Sequence, residues 1–124
     1  MEQELYREII LDHYRNPKNF GELSEPDISE SELNPLCGDK IQLHAKIANK
    51  KIQAIKFRGN GCAISQASAS VLTEYVKGKS LQEVEKLGPE DVLDLLKINP
   101  PPARLKCATL VLSVLKKGLR NYKL

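Results

Sequence analysis

The sequence predicts a small α+β fold, and three observations carry that expectation. An apolar stripe at helical spacing opens the chain, and two alternating stretches near its middle read as an antiparallel pair. Helical stripes with start and stop signals fill the remainder.

The elements follow in order. Residues 2–14 predict a helix, with Leu5, Ile9, Ile10 and His13 at helical spacing. Pro17 ends it, because the residue before a proline disfavours the helical region. Residues 22–35 are acidic and polar, with an edge strand predicted from Asp27 to Leu33. From Lys40 to Ile47 the pattern alternates strictly: Ile41, Leu43, Ala45 and Ile47 face one way, Gln42, His44 and Lys46 the other. Ala48-Asn49-Lys50 predicts a turn and Lys51 to Arg58 a returning strand. There the phase slips between Ile52/Ala54 and Ile55/Phe57, which calls for a bulge or for burial on both faces.

Arg58-Gly59-Asn60-Gly61 reads as a flexible loop leading to Cys62. A helix over Ala63–Lys77 follows, its face marked by Ile64, Ala67, Val71, Leu72, Tyr75 and Val76, with Gly78 as its stop. Ser80-Leu81-Gln82-Glu83 is a capping box for a short helix. Another helix runs from Pro89 to about Leu96. After Pro100-Pro101-Pro102 comes the last helix, carrying Cys107, Val111, Leu112, Val114, Leu115 and Leu119.

Length and composition set bounds. The 124 residues suit one domain, 1–124, with one core. No apolar run approaches the roughly 20 residues of a membrane helix, and the acidic, amphipathic start is unlike a secretory signal. A cytoplasmic protein with no membrane partner is expected. The net charge of +3 divides unevenly, with −7 over residues 1–39 and +10 beyond. The lysines are interspersed with acids and aromatics make up 5%, so no nucleic-acid partner is expected. A solvated surface is the plain reading, and an acidic protein partner the next.

The chemistry resides in three cysteines. Cys37 lies in the Pro35-Leu36-Cys37-Gly38-Asp39 turn before a strand, Cys62 in a Gly-rich loop before a helix, and Cys107 soon after the prolines that open the last helix. Such junctions can bring thiolates to one surface. Asp39 stands two residues after Cys37, so both could reach one metal. A carboxylate is the harder ligand and detaches more readily, which suits a transient site. A helix start stabilises anions, which favours thiolate ligands at Cys62 and Cys107. No CxxC spacing is present, and on spacing alone inert reduced thiols compete with a Cys37, Asp39, Cys62, Cys107 metal site.

The segments Asp12-His13-Tyr14-Arg15-Asn16-Pro17-Lys18-Asn19-Phe20-Gly21, Asn34-Pro35-Leu36-Cys37-Gly38-Asp39, Gly59-Asn60-Gly61-Cys62-Ala63-Ile64-Ser65 and Arg104-Leu105-Lys106-Cys107-Ala108-Thr109-Leu110 resemble the IscU/SufU/NifU N-terminal family of iron–sulfur assembly proteins, in order and over nearly the whole chain. The resemblance implies an antiparallel sheet of about three strands packed by helices on one side. It implies a site formed by Cys37, Asp39, Cys62 and Cys107 that takes sulfur from a cysteine desulfurase. A scaffold of this kind builds a transient [2Fe–2S] cluster with iron for transfer to apo iron–sulfur proteins. Zn²⁺ or Fe²⁺ would occupy the resting site.

Two branches meet in this sequence. The IscU branch has His directly before the third cysteine; here Lys106 stands there, with no lone pair to offer a metal when protonated. The Arg104–Leu110 segment resembles the SufU branch instead, whose members are zinc-dependent sulfur acceptors. Yet Cys62 and Cys107 are only 45 positions apart, which matches the short IscU length.

The scaffold is therefore the first reading. A sulfurtransferase with Cys107 as sulfur acceptor is the second, and a non-catalytic zinc-binding interaction module the third. Cys37 and Cys62 would share the sulfur chemistry, and Lys106 and Arg104 could stabilise the Cys107 thiolate or a bound sulfur anion. Pro101-Pro102-Ala103-Arg104 departs from the Pro-Pro-Val-Lys segment that IscU offers to its dedicated Hsp70 chaperone, which leaves that partnership open. A monomer or weak homo-oligomer is expected. His44 reads as a surface residue, His13 as a structural cap or packing residue, and Ser65, Ser68 and Ser70 as small residues permitting close helix packing.

Overall fold

A computed structural model describes residues 2–35, 38–100 and 102–123. Its order is α1 (Glu2–Arg15), β1 (Ile28–Asn34), β2 (Asp39–Ala48), β3 (Lys51–Asn60), α2 (Ala63–Val76), α3 (Leu81–Glu85), α4 (Pro89–Leu96) and α5 (Pro102–Lys123). The expected α+β class and three-stranded antiparallel sheet are both present, in the order β1-β2-β3.

Alternation in β2 decides the layering. Asp39, Ile41, Leu43 and Ala45 are buried, while Lys40 is exposed and Gln42, His44 and Lys46 are half-covered. The helices pack on the buried face, α5 against β1 and β2 and α2 against β3. Burying such a row removes apolar surface from water, worth about 25 cal/mol per Å². The phase slip in β3 is a bulge. Lys46 pairs with Ala54 but Ile47 with Ile52, so Gln53 is the extra residue. Ile52, Ile55 and Phe57 thereby all reach the core, and burial on two faces is not needed.

One expectation is corrected. Residues 58–60 are not a loop: Arg58, Gly59 and Asn60 continue β3 and pair with Gln42, Ile41 and Lys40. A glycine usually weakens a strand, but here α2 packs against β3 and Gln66 lies close to Gly59. The backbone ladder therefore runs on to the residue before Gly61.

Helix ends follow the sequence signals. Ser80 Oγ accepts from the Glu83 N–H at 3.1 Å and the Glu83 carboxylate accepts from the Ser80 N–H at 3.2 Å, completing the capping box. After α2, the Lys79 N–H donates to the Val76 carbonyl at 3.0 Å around Lys77 (φ −55°, ψ 129°) and Gly78 (φ +79°). That is a type II turn, which needs glycine at its third position.

His13 packs α1 onto α2: its Nδ1 lies 2.7 Å from Ser70 Oγ, which also accepts from the Lys18 N–H at 2.8 Å. Its structural reading therefore holds. His44 is less exposed than expected, because its Nδ1 accepts from the Leu23 N–H at 3.2 Å where residues 21–26 cross the outer sheet face. Among the described residues, no helix is long and apolar enough to cross a membrane.

Candidate metal centre

Three of the four residues expected to form a site come together at one end of the molecule. Asp39 opens β2, Cys62 is the N-cap residue of α2, and Cys107 lies in the second turn of α5. One ligand atom from each lies within 4.8 Å of the others. Cys37, the fourth, and Leu36 beside it lie outside the described residues, as does Pro101.

The sheet register places the carboxylate. Asp39 pairs with Asn34 at the end of β1 and stands in the same inward row as Ile41, Leu43 and Ala45. It is 2% exposed. A buried carboxylate is costly unless hydrogen-bonded. Oδ1 accepts from the Cys62 N–H at 3.0 Å, and the Cys62 thiol points at Oδ2 at 3.7 Å. A backbone N–H at a helix start is a natural partner for an anion.

The turn of α2 behind it is pinned by Ser65, whose hydroxyl donates to the Cys62 carbonyl at 3.0 Å. Gly61 makes room for both groups. A Cβ there would stand 2.3 Å from Asp39 Oδ1 and 2.7 Å from Ser65 Oγ. The glycine before the second cysteine is a feature of the site that spacing arguments missed; its signal was its place next to Cys62.

The thiols and the nearby cations differ in access. Cys62 is half-exposed, whereas Cys107 is 1% exposed. Arg104 and Lys106 stand on the exposed surface at the start of α5. Lys106 also lines a cleft of about 290 Å³, shared with Leu33, Pro35 and Thr109 beside the β1–β2 connection. Ser65, Ser68 and Ser70 are buried in α2; the Ser65 and Ser68 hydroxyls donate to carbonyls one turn back, while Ser70 Oγ meets His13 and Lys18 from the α1 side.

The donor set fits a metal. In a tetrahedral zinc site with Zn–S near 2.3 Å and Zn–O near 2.0 Å, a sulfur and an oxygen ligand stand roughly 3.5 Å apart and two sulfurs roughly 3.8 Å apart. The Asp39–Cys62 separation of 3.7 Å is already close to that geometry.

Residues 5–124 match the family model described as NifU-like N terminal domain. The zinc-dependent sulfurtransferase SufU of Bacillus subtilis is 38% identical, covering 93% of this chain and 89% of that protein. The iron-sulfur cluster assembly enzyme IscU of Drosophila melanogaster is 39% identical, covering 96% and 79%. The N-terminal part of a nitrogen-fixing NifU-like protein from Brucella abortus superposes with a TM-score of 0.79 over 95% of this chain and 94% of that one, at 21% identity, a likeness of fold alone. The chain belongs to the NifU-like N-terminal domain family.

Proposed function

We propose that this protein is an iron–sulfur cluster assembly scaffold in which Cys37, Asp39, Cys62 and Cys107 hold iron and sulfur while a [2Fe–2S] cluster is built. The observation that carries the reading is the convergence of Asp39, Cys62 and Cys107 from three separate elements to within 4.8 Å. Cys37 stands two residues before Asp39 in the sequence, the spacing that proposes it as the fourth ligand.

Each residue has a part. The thiolates bind iron and accept sulfur. Asp39, the hard ligand among soft ones, is the one whose departure lets the cargo leave. A cysteine desulfurase would supply the sulfur and apo iron–sulfur proteins receive the cluster. In sulfur delivery a thiolate attacks the outer sulfur of the desulfurase persulfide, the S–S bond breaks, and the desulfurase thiolate leaves, with no net oxidation. Cys107 is the acceptor singled out by sequence; of the two described thiols Cys62 is half-exposed and Cys107 1% exposed, so sulfur transfer to Cys107 would require the site to open.

Anaerobic reconstitution with iron, cysteine and a desulfurase tests the scaffold reading. A visible-region cluster spectrum is expected, with Asp39→Ala holding it longer than wild type. No such spectrum, and no gain from Asp39→Ala, would reject it.

A second reading has its own support. The identity to a zinc-dependent sulfurtransferase and the presence of Lys106 before Cys107 favour a zinc-ordered sulfur acceptor. Zinc would be held by the same residues and would order the thiols. Stimulation of desulfurase turnover by the zinc-loaded protein, with no cluster formed, decides for this reading.

A further inference from the structure

The side chain of Gln66 is an anomaly beside this site. Gln66 is 8% exposed, and its Nε2 is sealed from solvent with no hydrogen-bond partner among the described residues. A buried donor left unpaired carries a substantial desolvation penalty. Asn34 and Asp39, the other buried amide and carboxylate side chains near the thiols, both have partners.

Its place relative to the site follows from two elements. On α2 it lies one turn after Cys62, and its N–H donates to the Cys62 carbonyl at 3.2 Å. Cys62 is the N-cap with extended backbone, and helical side chains lean toward the helix start, so the Gln66 side chain leans toward the turn that carries Cys62. On β3, its Nε2 stands 3.3 Å from where a Cβ on Gly59 would be, while a Cβ on Gly61 would be 2.3 Å from Asp39 Oδ1. Gly59 and Gly61 are two residues apart, so the amide sits roughly one side-chain row inward from the carboxylate, on the order of 7 Å along the strand.

A sulfur that ligates a metal accepts N–H···S hydrogen bonds, and a buried carboxamide with an unused N–H one turn along α2 from Cys62 is placed to supply one. We propose that Gln66 is a positioning residue for the metal–sulfur cargo, its carboxamide donating an N–H···S bond to the Cys62 thiolate when the site is filled. The assignment rests on the metal–sulfur reading of the site. Hydrogen bonds to ligand sulfurs tune metal centres, and the partners that orient metal ligands typically contribute 10–100-fold in affinity.

Gln66→Met keeps length and shape but removes the donor. The test uses the full chain, with Zn²⁺ titrated against a competing chelator, Co²⁺ as a spectroscopic probe, and urea unfolding of the metal-free protein. The expected result is a metal-free midpoint equal to or above that of wild type, zinc affinity lower by about tenfold, and a thiolate-to-cobalt charge-transfer band moved to lower energy. Unchanged zinc affinity and an unchanged cobalt band overturn the role of Gln66, whatever happens to stability. A variant less stable without metal but equal in metal binding assigns Gln66 to packing and overturns it too. A wild type that binds no zinc or cobalt overturns the reading of the site itself, and this assignment with it.

Discussion

Replacing Gly61 with alanine tests how closely the site is built. The new Cβ would stand 2.3 Å from Asp39 Oδ1, 2.7 Å from its Cγ and 2.7 Å from Ser65 Oγ. Ordinary contact lies near 3.5 Å, so the carboxylate must retreat by about 1 Å. Retreat stretches the bond from the Cys62 N–H, now 3.0 Å, beyond useful length. A hydrogen bond to a charged group contributes about 1.5–3 kcal/mol, and overpacking a tight site costs about 1–3 kcal/mol. Gly61 also holds φ +156°, which an L side chain rarely adopts; these effects overlap, so Gly61→Ala should destabilise by about 2–4 kcal/mol and lower the urea midpoint by roughly 1–2 M. Zinc affinity should fall at least about tenfold, because the displaced group is a proposed ligand.

Gly78→Ala is the control. Gly78 has φ +79°, but a Cβ added there would meet nothing within 4 Å. Alanine at that position therefore bears only the left-handed backbone cost of about 1–2 kcal/mol and should leave zinc affinity unchanged. Urea unfolding followed by circular dichroism, paired with chelator competition, reads both. A Gly61→Ala protein that binds zinc like wild type would refute the claim that Asp39 is held against that glycine as part of the site.

Further outcomes follow from other contacts. Burial holds the His13 imidazole below its ordinary pKa of 6.5, against the attraction of Asp12 and Glu74 and together with repulsion from Lys18. Its neutral form is therefore the one that fits the fold: this contribution is complete above about pH 6.5 and is lost as pH falls through the lower folded value. Metal-free wild type should lose more of its urea midpoint between pH 7.5 and 5.5 than His13→Gln does, and equal losses would refute it. Ser80→Ala should cost about 1 kcal/mol, since it removes the N-cap acceptor of α3; no change in the urea midpoint would contradict the capping role. With iodoacetamide, Cys62 should be labelled faster than Cys107 by roughly an order of magnitude, because the buried thiol needs local opening. Peptide mapping by mass spectrometry reads the order, and the reverse order would refute the described accessibility.

Much of the fold was legible because it is periodic. The β2 alternation, the helical stripe of α2, the Ser80 capping box and Pro102 at the start of α5 all carry local signals that tertiary packing then confirms. The phase slip was visible in the returning strand, but burial on both faces would have explained it equally well; only the non-local pairing shows Gln53 as an extra residue. Residues 58–60 were misread because glycine and asparagine signal loops, while the ladder to β2 is a non-local interaction that overrides that preference. The site was legible as residue types at junctions. Its closeness was not, because the convergence of Asp39, Cys62 and Cys107 depends on how α2 and α5 pack on the sheet. Nor was Gln66: in the sequence it is an ordinary polar residue between serine and alanine, and only burial makes it unusual.

The register of the sheet and the identity of the site are one property. Asp39 extends the inward row of Ile41, Leu43 and Ala45, so the apolar residues that fix the pairing also fix which side chain reaches Cys62. A slip of one residue would turn that row outward and bring Lys40 to the position of Asp39, setting an ammonium against the thiols. Burying Ile41 and Leu43 opposes that slip by roughly 1.5–3 kcal/mol for each side chain, far more than any single surface contact could supply. The Gln53 bulge lies toward the other end of the β2–β3 hairpin, where an extra residue is absorbed without disturbing the pairing of Lys40 with Asn60. Asp39, the proposed hard ligand, is thus held in place by the hydrophobic core, and a weak hold on a metal would not require its position to be loose.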